Sequence, residues 1–413
     1  MMVASSTPLN PGRAMAGDRT VTGGRTLMLV LATVGFALNF WAWALLSPLA
    51  PRFRDDLGLN SFQESLVVAV PVIVGSLGRI PIGALADRYG GRLMFPVVSL
   101  ITVLPVLFLG LVGHSALAAL LIGGFFLGIG GTVFAVGVPF VSAWFPPEKQ
   151  GLAIGVYGMG MGGTAISALT TVRLVEAGNT ATPFLLCALA LVIYASVAWY
   201  LLRDAPGHTP PTESVTARLN QTVRLPATWA ASVLYAVSFG GFVAFSVYLP
   251  SYLRTAYDLS QTDAANRMAG FVLLAVVMRP VGGWLADRFD APTVLAATLC
   301  AVVIAASVQA TTPGLAPTGT LAFLVLAAAL GAGSGATFAL VALIAPAGKV
   351  GAVTGFVGAA GGLGGFVPPL VMGAVYEATA DYGPGLLALA VVALVALLFT
   401  LIVVRHQVER NHT

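Results

Sequence analysis

Two arginines stand where an arginine is costly. Arg79 sits in VGSLGRIPIGALADRYGGR (residues 74–92), inside a run that is otherwise uncharged from Ser65 to Ala86. Arg279 sits in LAVVMRPVGGWLADRFD (residues 274–290), and Gly83/Gly283, Leu85/Leu285, Ala86/Ala286, Asp87/Asp287 and Arg88/Arg288 match around the pair at the same offset of 200. At mid-bilayer an arginine costs at least ~2.5–3.5 kcal/mol even on lenient insertion scales. Each precedes the aspartate near the end of its run by eight residues, about 12 Å of helix, which places it near the middle of a ~30 Å hydrocarbon core. Reaching the surface from that depth strains even a long side chain. The ordinary alternative is an intramembrane salt bridge, but none of the 16 acidic residues falls in the middle of an apolar run. Two equivalent buried cations in a duplicated chain imply one site between two halves, and their sign implies an anion. The guanidinium fork suits a planar oxyanion, because it meets two oxygens at once.

The elements that must carry these arginines are membrane spans. The chain has 413 residues, 58% hydrophobic and 9% charged, with a mean hydropathy of +0.92. Soluble proteins carry about 25% charged residues, so this is an integral membrane protein. The net charge of +4 does not indicate nucleic acid, since the basic residues flank apolar runs. Cys187 and Cys300 lie within apolar runs, and the four histidines lie in or beside loops or in the tail. No metal set or cofactor motif is visible.

A span needs about 20 apolar helical residues. Twelve segments qualify: 26–50, 62–86, 93–113, 116–145, 151–174, 181–203, 227–254, 264–286, 292–312, 320–345, 351–376 and 383–405. The first is too long for a signal-peptide core of about 7–15 residues and is read as a retained span. The polar, Pro- and Thr-rich stretch 204–226 divides six spans from six. The expected organisation is therefore a tail (1–25), an N-terminal bundle (26–203), a linker (204–226), a C-terminal bundle (227–405) and a tail (406–413). Thirteen Lys and Arg fall on the side of the termini and linker against five on the other, which puts both termini and the linker in the cytoplasm.

A second repeat supports the first. Gly151, Gly155, Gly158 and Gly162 match Gly351, Gly355, Gly358 and Gly362 at the offset of 200. Their spacing places them on one helical face, where a helix or a ligand can approach the backbone closely. Both uses remain open.

Among these motifs, GALADRYGGR (83–92) resembles the loop signature between spans 2 and 3 of the major facilitator superfamily. Gly83, Asp87 and Arg88 carry it, with Gly283, Asp287 and Arg288 in a weaker copy where Asp290 replaces a glycine. Across nearly all twelve spans the chain is similar to the nitrate/nitrite porter family, most specifically in GAAGGLGGFVPP (358–369). The resemblance implies that Arg79 and Arg279 hold the anion. It also implies that Phe134, Phe338, Tyr235 and Phe239 line the site, with Gly160, Gly162, Gly361 and Gly362 beside it. Plain core packing remains the alternative reading of the aromatics. The chain departs from the family in carrying Met161 and Val133 where asparagines are usual, which removes two amides from the substrate's surroundings; Ser334 and Thr337 are candidate replacement donors.

The expected fold is all-α: two pseudo-symmetric six-helix bundles, each of 3+3 inverted repeats, with a central site at the midplane. The expected function is secondary active transport of a small inorganic monovalent anion, nitrate and/or nitrite, by alternating access and in exchange mode. The expected setting is the cell membrane, as a working monomer without cofactor or nucleic acid. Alternatives are a proton-coupled or uniport carrier of cyanate or a small carboxylate, and an anion channel. A membrane enzyme has no nucleophile–base pair in the spans to support it.

Overall fold

The computed structural model describes residues 11–206, 215–345 and 350–412. Among them there is no strand, and eleven helices are long and apolar enough to cross a membrane. They are spans 1 (Gly24–Leu57), 2 (Ser61–Tyr89), 3 (Gly91–Leu111), 4 (Leu117–Trp144) and 6 (Thr182–Leu201) in the first half. In the second half they are spans 7 (Pro226–Tyr257), 8 (Gln261–Phe289), 9 (Ala291–Ala310), 10 (Leu315–Val341), 11 (Val353–Thr379) and 12 (Gly383–Val408). Span 5 is assembled from Pro147–Gly158, a 3-10 turn at Met159–Gly162 and Gly163–Ala177. The first helix reaches back to Pro11, well before the expected start at residue 26. The linker contains a short helix, Val215–Val223.

Proline and glycine decide where the spans bend. Proline lacks an N–H and clashes with the carbonyl four residues earlier. Pro48 accordingly coincides with the turn at Ala44–Leu45 in span 1, where the Ala44 carbonyl accepts instead from the Ser47 N–H at 3.2 Å and from Ser167 Oγ at 3.1 Å. Pro81 has the same relation to the break at Gly78, immediately before Arg79, and Pro368 and Pro369 to the break at Gly365–Phe366 in span 11. Span 4 tightens into a 3-10 turn at Gly128–Thr132, the counterpart of the turn in span 5. A 3-10 stretch in mid-helix often marks a hinge or a functional site, and irregular backbone survives at membrane depth only where protein or water covers it.

Glycines let the helices touch at these levels. A Cβ at Gly163 would strike the Ala37 carbonyl of span 1, and one at Gly364 the Ala236 carbonyl of span 7. Gly331 and Gly335 of span 10 seat against the backbone of Ala275 and Arg279, so span 8 is held directly at its arginine. The glycine stripes inferred from sequence are only partly such seams. Gly155, Gly162 and Gly355 face no atom within 4 Å of a built Cβ, and the side chains around Gly151 and Gly351 lie outside the described residues.

The halves are tied together at the end away from the termini. Ser47 Oγ donates to the Val247 carbonyl at 2.5 Å, and Gln261 Nε2 to the Pro48 carbonyl at 2.8 Å. Arg254 pairs with Asp55 at 2.5 Å, and the Ser61 N–H donates to Glu377 at 2.9 Å.

Neighbouring glycines of span 5 are therefore expected to behave oppositely. Gly163→Leu forces span 1 away at a cost of about 1–3 kcal/mol or more and should cut the yield of monodisperse protein. Gly162→Leu should purify and unfold like the parent. Equal behaviour of the two in size-exclusion and thermal-unfolding measurements would refute this register.

Candidate functional site

The break in span 2 and the unbroken run of span 8 bring Arg79 and Arg279 to the interface of the halves. Both are buried, at 6% and 7% exposure. Each reaches across to the glycine-rich span of the opposite half. Arg79 Nη1 donates to the Gly358 carbonyl of span 11 at 2.6 Å, while its Nε reaches the Gly131 carbonyl of the 3-10 turn in span 4 at 3.4 Å. Arg279 Nη1 meets the sulfur of Met161 in span 5, and its Nη2 donates to Tyr235 Oη at 2.8 Å. Gly158, the repeat partner of Gly358, lies 3.9 Å from the Arg279 guanidinium when given a Cβ. The cross-over thus follows the internal symmetry.

Aromatic rings wall the pair. The Arg79 guanidinium lies 5.2 Å from the centre of the Phe134 ring and 5.7 Å from that of Phe239. The Arg279 guanidinium lies 5.5 Å from both Phe239 and Phe338 and 5.9 Å from Tyr235. Phe239 therefore serves both cations, and it stacks on Tyr235 at 4.8 Å with 3° between the planes. Ring faces attract cations, by about 0.5–2 kcal/mol depending on desolvation, yet they carry no net charge. Among the described residues no carboxylate pairs with either arginine, and the buried Glu64 pairs instead with Arg54, at 3.2 Å, near the end where the halves are tied. The site therefore holds two positive charges with their donors partly occupied by neutral acceptors.

The structure sorts the remaining sequence-derived candidates. Gly361 packs on Tyr235 and Phe239, and Gly362 on Ser76 and Arg79, so both belong to this site. Gly160 packs on Phe36 of its own half, and Gly162 faces open space. Ser334 Oγ donates to the Leu330 carbonyl at 2.7 Å and Thr337 Oγ1 to the Gly333 carbonyl at 2.8 Å. With their hydrogens committed to their own helix, these hydroxyls present acceptor lone pairs, the wrong polarity for an anion. Val133 is buried, and its carbonyl accepts from Tyr157 Oη at 2.9 Å.

The loop-motif residues lie apart from the arginines, at the end of the termini. Gly83 faces Ala135 and Gly283 faces Gly335 at ordinary contact distances. Arg88 lies over Tyr89, and Arg288 over Trp284 and Phe289. Asp87 and Asp287 complete the two copies, one turn of helix before the glycine or aspartate that begins the loop.

Sequence reasoning missed Phe36, Phe40 and Tyr157. Phe36 stacks on Tyr157 at 4.9 Å and lies 5.7 Å from Phe134. The signal was present, since FALNF at 36–40 matches YAVSF at 235–239, but at an offset of 199 rather than 200.

The comparisons with known proteins agree with this architecture. The model of the Major Facilitator Superfamily matches residues 32–369 and 231–413. The chain is 48% identical over 390 residues to the probable nitrate/nitrite transporter NarK2 of Mycobacterium tuberculosis, covering 94% of this chain and 99% of the relative. It is 34% identical over 387 residues to the nitrite extrusion protein of Bacillus subtilis, covering 94% and 96%. A bacterial homologue of the human lysosomal transporter Spinster, solved in an inward-facing conformation, superposes with a TM-score of 0.73 at 18% identity, over 94% of this chain and 98% of that one; that likeness speaks to the fold. With two arginines at equivalent points of two six-span halves and relatives matched over nearly their whole length, the chain belongs to the nitrate/nitrite porter family of the major facilitator superfamily.

Proposed function

We propose that this protein carries nitrate and nitrite across the plasma membrane by alternating access, exchanging one anion for another. The observation that carries this reading is the pair of buried, carboxylate-free arginines, one from each half and each bonded across to the other. The printed names of the relatives supply the anions. In this reading the bundles 26–203 and 227–405 rock about the linker 204–226, both termini face the cytoplasm, and the single chain is the working unit. It moves its substrate without converting it chemically.

The exchange mode follows from electrostatics. An empty carrier that closes over Arg79 and Arg279 removes two like charges from water. An unpaired buried ion costs several kcal/mol even after relaxation. A monovalent anion cancels one charge and accepts hydrogen bonds from both guanidinium groups, so the loaded carrier crosses faster than the empty one. Phe134, Phe239, Phe338 and Tyr235 exclude water and orient the anion against the forks. Gly361 and Gly362 keep span 11 close enough for Arg79 to remain within reach.

Two measurements test this reading. Replacing Arg79 or Arg279 by lysine keeps the charge and removes the fork, so uptake should weaken at least tenfold, about 1.4 kcal/mol. Normal transport by Arg79→Lys would mean that charge alone matters. In proteoliposomes, uptake of labelled nitrite should depend on unlabelled nitrate or nitrite inside, and an imposed pH gradient should not replace it. Robust uptake into anion-free vesicles driven by acid outside would overturn exchange while leaving the site in place.

A further inference from the structure

The acceptors that occupy the two guanidinium groups are not equivalent. Arg79 donates to two backbone carbonyls, Gly131 O and Gly358 O, which cannot leave unless span 4 or span 11 moves. Arg279 donates to the Tyr235 hydroxyl, whose ring is clamped between Phe239 and Gly361. The fourth acceptor is the Met161 sulfur. A thioether is the weakest acceptor of the four, and it rides on the most adaptable apolar side chain, with three rotatable bonds.

Local structure gives that side chain its position and its freedom. Met161 lies in the 3-10 turn Met159–Gly162, which turns it to the buried side while Met159 is largely exposed. Its neighbours Gly160 and Gly162 add no side chains, and at Gly162 the space that a Cβ would enter is empty. The second half has no counterpart, because the residue matching Met161 is Gly361, packed flat against Tyr235 and Phe239.

We propose that Met161 is a displaceable placeholder: its sulfur holds Arg279 Nη1 in the empty carrier and swings away when the anion arrives, so that the anion docks first on Arg279. This rests on the anion-site reading above. The empty state keeps a hydrogen bond that the loaded state lacks, and Met161 therefore weakens anion binding. It is a positioning residue, acting through Arg279. Its effect is specific to the sulfur, since leucine fills the same volume without an acceptor.

The test is nitrite exchange by the full chain in proteoliposomes, with Met161→Leu and Met161→Ala beside the parent. Removing the placeholder should lower KM by about threefold or more, the low end of the net value of one hydrogen bond, without raising the maximal rate. Met161→Ala must act in the same direction, which guards against a leucine that packs badly. A residue that merely shapes the site would raise KM when altered, so an unchanged or raised KM in both variants would overturn the proposal. Failure of the parent itself to saturate with nitrite would instead overturn the anion-site reading.

Discussion

Two like charges buried side by side, with no carboxylate between them, set the terms for everything around the centre of this molecule. In a low-dielectric interior their repulsion is poorly screened, and each guanidinium also needs acceptors for its hydrogens. The chain meets the second need with backbone carbonyls at Gly131 and Gly358, the Tyr235 hydroxyl and the Met161 sulfur. It meets the first only in part, through the ring faces of Phe134, Phe239 and Phe338. The remainder is an electrostatic deficit, and in the proposed reading a bound anion fills it and so couples binding to movement.

Close helix packing makes the arrangement possible. A guanidinium reaches a carbonyl on another helix only where that helix is bare, which explains Gly358 and Gly362 beside Arg79. Gly331 and Gly335 likewise fix the backbone from which Arg279 projects. The 3-10 turns at Gly128–Thr132 and Met159–Gly162 aim a carbonyl and a side chain where a regular helix would hide the first and misdirect the second. Glycine serves here as the residue that allows one helix to act as ligand to another's side chain.

Much of this was legible in the sequence, and the limits have physical causes. The arginines were visible because charge in an apolar run is rare, and their pairing because the duplication kept its spacing across spans 2 and 8. The rings at Phe36 and Phe40 were hidden by a single-residue shift between spans 1 and 7 relative to spans 2 and 8. The glycine stripes were read with helical periodicity, and the 3-10 turn in span 5 breaks that periodicity, so Gly163 rather than Gly162 makes the close contact with Ala37. Ser334 is a donor by residue type, but its hydrogen is spent within its own helix. The bonds between halves had no sequence signature, because nothing in residue order says which carbonyl or carboxylate of one half will face a donor of the other.

The starts of spans 3 and 9 differ in a way that bears on how the protein is held together. Asp290 has a positive φ of 73° and caps its own helix by accepting from the Thr293 N–H at 2.8 Å. Its repeat partner Gly90, with φ of 80°, has no side chain to do so; a carboxylate from beyond span 6 does it instead, as Asp204 accepts from the Arg92 N–H at 3.0 Å. A Cβ at position 90 would collide with that carboxylate, so glycine here is required twice over. The first residue of the polar connection is thereby stapled to the bundle it leaves. Any movement of one bundle against the other is thus counted from an anchored Asp204 rather than from the end of span 6.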